Sequence, residues 1–502
     1  MSDRPGPEPV EVPDPEPAAG RPAGSGSGGW VAAVDLGATS GRVVLARVGP
    51  EELQVETVHR FENLPVRTPD GLHWNVLELY RQILLGLAAC VRQQPELRSV
   101  GIDSWAVDYG LTEGAHLVGQ PFHYRDERTA AGVTAVHAML DHRGLYARNG
   151  LQLQPFNTVY QLAVDAAAGQ LRPQQTMLLL PDLLASWLTG RQVAERTNAS
   201  TTGLLNLRTD TWDTELMDLL GLPHSLFPGL VAPGTTTGPL LPEVAAEIGT
   251  DRRVAVVAVG SHDTASAVVA VPMSGRHAAY ISSGTWSLVG VELDHPVLGE
   301  ASRVANFTNE GGVGGRTRFL KNVSGLWLLS ECLRTWERQG RAHELAELLD
   351  AAAAVTAPVP VFDVNDPGLV APGDMPARVA ALCSAGDPAP TPEPAVLVRS
   401  ILESLAAAYA EAVDTAEQLS GVLIETVHVV GGGSQNTLLC QLTADRTGRR
   451  VLAGPVEATA IGNVLVQART AGLVSGSLEE LRALVARAFP PVEYQPLARP
   501  EV

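Results

Sequence analysis

The chain has 502 residues, too many for one hydrophobic core, and fits two domains of roughly 200 residues or more, with 45% hydrophobic residues to fill them. A formal charge of −19 argues against a nucleic-acid backbone or an acidic membrane as partner, so an anionic substrate needs a metal ion or local N–H donors to offset that field. Among 36 Lys and Arg the only lysine is Lys321, which lacks the upstream glycine of a Walker A loop and the context of a protein-kinase strand lysine, and both of those nucleotide-enzyme classes are excluded.

Met1 to Gly29 is rich in proline and acidic residues and ends in Gly-Ser-Gly-Ser-Gly-Gly, a composition that predicts a disordered tail. Gly24, Gly26 and Gly29 spell G-x-G-x-x-G, but they precede the first strand instead of following one, so they read as linker. No signal-type apolar segment and no run of eighteen apolar residues is present, and a cytoplasmic protein is expected. Cys90, Cys332, Cys383 and Cys440 are far apart and read as free thiols, with neither a zinc site nor a disulfide framework.

Val31 to Val48 reads as strand, glycine-rich turn, strand. The turn, Gly37 to Gly41, offers bare N–H groups and two hydroxyls able to surround a phosphate. Val76, Tyr80, Ile83, Leu84, Leu87 and Val91 recur at helical spacing and predict an amphipathic helix over a sheet face. Ser99 to Tyr109 reads as the next strand, with Asp103 and Asp108 flanking Trp105, and Tyr124–Thr129 and Gln154–Thr158 as polar loops entering the same cleft. Val254 to Val271 is an apolar run interrupted by the polar turn Gly260 to Thr264. Asp263 therefore lies where a strand hands over to a helix, the place where open α/β sheets meet ligands; Asp263 or Ser261 serves equally well as a helix N-cap.

Ala278 to Val291 repeats the strand, turn, strand pattern, and Thr426 to Gly433 is again an apolar strand ending in a glycine turn. Two such halves predict duplicated α/β domains facing one cleft, with the tail over residues 1–29, one domain over 30–268 and the other over 269–495. Thr356 to Pro394, with nine prolines, is expected to be a long surface excursion. Pro394 then opens a long helix with Val398, Ile401, Leu402, Leu405, Tyr409 and Val413 on its apolar face.

Seven motifs in order resemble the FGGY carbohydrate kinases over roughly Trp30 to Ala468. They are Asp35-Leu-Gly-Ala-Thr-Ser-Gly-Arg42, Gly101-Ile-Asp-Ser-Trp-Ala-Val-Asp-Tyr109, Tyr124-Arg-Asp-Glu-Arg-Thr129, Ser261-His-Asp-Thr-Ala-Ser-Ala267, Ser282-Ser-Gly-Thr-Trp-Ser287, Leu320-Lys-Asn-Val-Ser-Gly-Leu-Trp327 and Val430-Gly-Gly-Gly-Ser-Gln-Asn-Thr437. The resemblance implies an α/β fold of two duplicated actin-like (ribonuclease H-like) ATPase domains facing an interdomain cleft. It implies ATP-dependent phosphorylation of a sugar hydroxyl with Mg²⁺, and a monomer or homodimer whose partners are a small-molecule sugar and ATP.

By the same resemblance Asp263 is the catalytic base. ATP meets Ala38, Thr39, Ser40, Gly41, Arg42, Thr285, Ser330, Gly431, Gly432 and Gly433. The sugar meets Ala106, His262, Asp263, Thr264 and Asn322, and Asp35 holds Mg²⁺ directly or through water. Each has a plainer reading beside it: ordinary hairpin turns, a strand-to-helix glycine turn, a solvated strand-end Asp35, a capping hydroxyl for Thr264, a core or surface imidazole for His262. Three consecutive residues, Ser261 to Asp263, cannot converge as a hydrolase triad. Phosphoryl transfer asks mainly for positioning and charge neutralisation, so one carboxylate suffices as base, and the adjacent helix dipole is expected to lower its basicity. Two positions depart from the family pattern: Ala106 replaces an expected glycine, and Ser330 an expected ATP-side glutamine.

Overall fold

The computed structural model describes residues 28–384 and 392–497, so all but the last two residues of the expected disordered tail lie outside the described residues. In strand β1 (Gly29–Leu36) successive side chains point to opposite faces, and both faces are apolar: Val31 and Ala33 enter one core, Ala32, Val34 and Leu36 another. β1 pairs antiparallel with β2 (Ser40–Gly49), which pairs antiparallel with β3 (Glu52–Glu62). Helix α1 (Val76–Gln93) then carries the chain over the sheet to β4 (Leu97–Ser104), parallel to β1. With β5 (Thr236–Pro239) and β6 (Ala255–Val257) the order is β5-β6-β4-β1-β2-β3, and helix α2 (Asp263–Val269) follows β6.

The second sheet uses β7 (Ala278–Ser283), β8 (Trp286–Leu293), β9 (Thr308–Gly311) and β10 (Thr317–Ser324), then helices α3 (Trp327–Arg338) and α4 (Pro394–Ser420). After these come β11 (Thr426–Val430), β12 (Arg450–Ala453), helices α5 (Ala458–Thr470) and α6 (Leu478–Ala488), and β13 (Val492–Tyr494). Its order is β9-β10-β8-β7-β11-β12-β13. The pairing senses repeat those of the first sheet. β7-β8-β10 is antiparallel like β1-β2-β3, β7-β11-β12 parallel like β1-β4-β6, and β12-β13 antiparallel like β6-β5. One topology occurs twice, and β9 is an edge strand with no counterpart in the first sheet.

The layers follow from strand alternation. α1 covers the outer face of the first sheet and α4 that of the second, where Val398, Ile401, Leu402, Leu405, Tyr409 and Val413 are all fully buried, each contributing about 1.5–3 kcal/mol of apolar transfer. Between the sheets lie α2, α5 and α6, which share one core with Val31, Ala33, Val44 and Ala46 of the first sheet and Tyr280, Leu288 and Leu320 of the second. α5 belongs by sequence to the second half, yet it packs on β1 and β4. It crosses α2 at Gly462, where a Cβ would come within 1.8 Å of the Ser266 carbonyl oxygen. A buried polar ladder ties it down: Ser99 Oγ donates to Gln467 Oε1 (2.7 Å), Gln467 Nε2 donates to Ala32 O (2.9 Å) and Asn463 Oδ1 (2.6 Å), and Asn463 Nδ2 donates to Asp103 Oδ2 (2.6 Å).

Two segments differ from the sequence-based expectation. The strand expected over Ser99–Tyr109 stops at Ser104, because Val107 takes a left-handed φ of 70°, and Tyr109–Glu113 joins a separate three-stranded sheet. Asp108 therefore turns into the core, where the Trp74 and Trp105 indoles, Gln161 and the Tyr124 N–H all donate to it, and burial pushes its carboxyl up to about 6. The proline-rich stretch runs along the surface over its described part but is anchored there, because Phe362, Val364, Leu369, Met375 and Val379 are buried in the core that α4 lines. Pro376 opens the helix Met375–Cys383, where its missing N–H costs nothing.

Candidate active site

The two hairpin turns, β1–β2 and β7–β8, meet across the space between the sheets, together with the ends of β4, β10 and β11 and the start of α2. They enclose a cavity of about 310 Å³. Its walls include Asp35, Ala38, Thr39, Ser40 and Arg42 from the first hairpin, Ser283, Gly284 and Thr285 from the second, and Gly431 and Gly432 after β11. Trp105 and Ala106 come from the end of β4, His262, Asp263 and Thr264 from the α2 turn, and Asn322 from β10. The first turn is tight because Gly37 N–H donates to Ser40 O (2.8 Å), so that N–H is not bare, contrary to expectation; Asn63 clamps the turn through Gly37 O (2.9 Å) and Thr39 O (3.0 Å). Gly431 has φ 82° and lies against the Ser283 carbonyl, where a Cβ would fall 2.8 Å from the oxygen.

Asp263 is the first helical residue of α2 and not its cap; the N-cap is His262, and Ser261 instead donates its N–H and Oγ to the buried Glu195 (3.0 and 2.8 Å). Oδ1 of Asp263 accepts from Thr264 N–H (2.6 Å) and Thr264 Oγ1 (3.2 Å), while 32% of the side chain stays open to the cavity. Burial raises its carboxyl above the usual carboxylate range and nearby Asp35 adds to this, whereas His262 and the Thr264 hydrogen bonds oppose it. The net direction is upward, with burial the largest contribution.

Asp35 and Asp103 are register partners on the parallel strands β1 and β4, so their carboxylates are neighbours. Asp103 is fully buried, and burial holds it well above the ordinary carboxylate range, with Asp35 adding like-charge repulsion. Asp35 is ion-paired: Arg42 Nε and Nη2 donate to its Oδ2 at 2.9 and 2.6 Å, and the same Nε lies 2.9 Å from Glu457 Oε2 at the start of α5. Among the described residues no group of three His, Cys, Asp or Glu forms a closed metal cage. One strand-end carboxylate with a second oxygen free of Arg42 suits a cation that keeps its waters and takes most other ligands from phosphate, as Mg²⁺ does.

Three expected contacts stand outside the cavity wall. Gly41 is within β2, where a Cβ would strike the Phe61 ring at 2.3 Å; Gly433 packs on Ser283, where a Cβ would meet Oγ at 2.1 Å; and Ser330 is on α3, its N–H bonded to Leu326 O (2.9 Å). The cavity also holds residues that sequence reasoning missed. Gln152 Oε1 accepts from Asn322 N–H and Nδ2 (2.8 and 3.0 Å), Thr459 reaches in from α5, and the extra strand β9 delivers Thr308 and Glu310. Nothing in their local pattern marks them; register and packing bring them there.

Residues 30–270 match the N-terminal domain, and 279–471 the C-terminal domain, of the FGGY family of carbohydrate kinases. The chain is similar to a rhamnulokinase of Pectobacterium carotovorum subsp. carotovorum, with 42% identity over 474 residues and 93% of both chains covered. It is similar too to a rhamnulokinase of Bacteroides thetaiotaomicron, with 39% identity over 471 residues, covering 92% of this chain and 95% of that protein. Among solved structures, a gluconate kinase from Lactobacillus acidophilus superimposes with a TM-score of 0.76 at 16% identity, with 94% of each chain covered. Plasmodium falciparum glycerol kinase with ADP superimposes with a TM-score of 0.74 at 14% identity, covering 94% of this chain and 95% of that one. At such identities these two show a shared fold.

Proposed function

The chain belongs to the FGGY family of carbohydrate kinases, and on that premise we propose that it transfers the γ-phosphoryl group of ATP to the 1-hydroxyl of L-rhamnulose, giving L-rhamnulose 1-phosphate and ADP. The observation that carries this reading is a single one: the Asp263 carboxylate opens into a cavity bounded by glycine hairpin turns from both halves. The names of the relatives supply the sugar. The attacking sugar oxygen forms the bond to phosphorus, the bond to the bridging oxygen of ADP breaks, and the hydroxyl proton goes to Asp263. His262, Thr264, Asn322 and Ala106 hold the sugar; Ala38, Thr39, Ser40, Arg42 and Thr285 hold the phosphates, and Gly431 and Gly432 the nucleoside side. Mg²⁺ bound with ATP neutralises phosphate charge, and Asp35 is the residue that holds it. With contacts from both halves, closure around the two substrates excludes water. The reading includes a cytoplasmic monomer or homodimer; no helix among the described residues is long and apolar enough to cross a membrane.

Ala106 favours a second reading, a sibling kinase for another ketose, because its methyl occupies cavity wall where glycine is expected. ADP release over L-rhamnulose, L-fuculose, L-xylulose and L-ribulose tests both. Rhamnulose kinase activity predicts the highest kcat/KM for L-rhamnulose. A preference for any other ketose by about tenfold or more removes the rhamnulose assignment and keeps the kinase, since one methyl shifts discrimination by about 1–3 kcal/mol. No ADP release with any of them removes both.

A further inference from the structure

Asp263 has two carboxylate oxygens, and the protein bonds only one of them among the described residues. Oδ1 accepts from Thr264 and faces Nε2 of His262 at 3.4 Å. Whether Nε2 carries a hydrogen is decided on the other side of the ring. There Nδ1 of His262 lies 3.0 Å from Nη2 of Arg318 and 3.3 Å from Oε2 of Glu310, and the same Nη2 lies 3.1 Å from the same Oε2. A guanidinium nitrogen only donates, so the 3.0 Å contact puts a hydrogen of Nη2 on the ring, while Glu310 Oε2 stands beside both groups as an ion-pair partner with no hydrogen bond among the described residues. Nδ1 is therefore the acceptor, and the ring hydrogen sits on Nε2, the nitrogen that faces Asp263 Oδ1 at 3.4 Å.

Arg318 is held for this task. It is fully buried on β10, its Nε donates to Gly311 O at 2.9 Å, and Glu310 supplies its counter-charge from β9, the strand that the first sheet lacks. We propose that Arg318, neutralised by Glu310, is a positioning residue for the transfer: it fixes the Nε2–H tautomer of His262, which turns its N–H edge toward Oδ1 of Asp263, the oxygen that Thr264 bonds, and leaves Oδ2 as the atom that takes the sugar proton. The inference rests on reading Asp263 as the base, and it gives β9 a function: it carries the charge that lets an arginine be buried behind the active histidine.

The first measurement needs only the wild-type protein. With ¹⁵N-labelled histidine, and the His262 signal identified by its loss in His262→Asn, the shifts should report a protonated Nε2 and an unprotonated Nδ1; a proton on Nδ1 overturns the proposal whatever the variants do. The second is kinetic. The pair Arg318→Met with Glu310→Gln leaves neither charge buried alone. It should lower kcat by about 10- to 100-fold with KM for ATP within about twofold, the cost of a misplaced catalytic group. In a His262→Asn background the pair should cost nothing further. Equal losses in both backgrounds, or an unchanged kcat, overturn the proposal; if the pair does not fold, the nitrogen shifts decide. Failure of the kinase reading looks different, namely no ADP release by the wild type with any ketose while the nitrogen shifts stand.

Discussion

At Asp263 the substitution that isolates its chemistry is Asp263→Asn, which keeps the shape and the oxygen that Thr264 bonds but cannot take a proton. We expect kcat to fall by roughly 10²–10⁴-fold, as for loss of a general base, with the sugar dissociation constant nearly unchanged in calorimetry. Near-normal turnover would remove Asp263 from the mechanism. Because burial and Asp35 raise this carboxyl, the base is protonated and idle at a higher pH than an ordinary aspartate. As pH falls, kcat should therefore drop along a limb lying above the ordinary value of about 4. A limb at or below that value would contradict the desolvated setting. At Ala106, exchange for glycine should relax selectivity toward bulkier ketoses while L-rhamnulose stays a good substrate; a gain confined to L-rhamnulose would mean that the sugar's methyl end abuts Ala106 in the wild type.

At the scale of elements, α5 and α2 touch through Gly462 and Ser266 with no space for a side chain. Gly462→Ala should push the helices apart and cost about 1–3 kcal/mol, read as a lower urea midpoint with an unchanged slope. An unchanged midpoint would show that the crossing tolerates a methyl. The elements whose environment is set locally were legible in the sequence: both hairpins through their glycine turns, α1 and α4 through helical spacing. The allegiance of α5 was not, since a helix buried on nearly every side carries no stripe to say which sheet it serves. The anchoring of the proline-rich stretch was missed because composition outweighed its spaced apolar residues, Phe362, Val364 and Leu369. Within the site, residues on turns could be read from their motifs. Glu310 and Arg318 could not, because a polar residue on a strand looks solvated until sheet register says what it faces, nor could Gln152, a loop residue that only packing brings to Asn322.

For the whole molecule, the repeated topology makes each sheet look self-sufficient, but the packing says otherwise. The inner face of the first sheet, Val31, Ala33, Val44 and Ala46, shares its core with α5 and α6, both encoded after the second sheet has nearly been completed. A fragment of residues 28–277 should accordingly stay insoluble or molten, binding hydrophobic dyes; a monomeric fragment with a cooperative melt would contradict this. On the ribosome the same packing becomes a delay. The Ala32 carbonyl receives its hydrogen bond from Gln467, 435 positions later. At roughly 5–20 residues per second of elongation, the opening strand waits about 20–90 s for its partner. Throughout that interval the apolar face of the opening sheet lacks its α5 and α6 cover, so a stall late in translation leaves the first half as incomplete as the second.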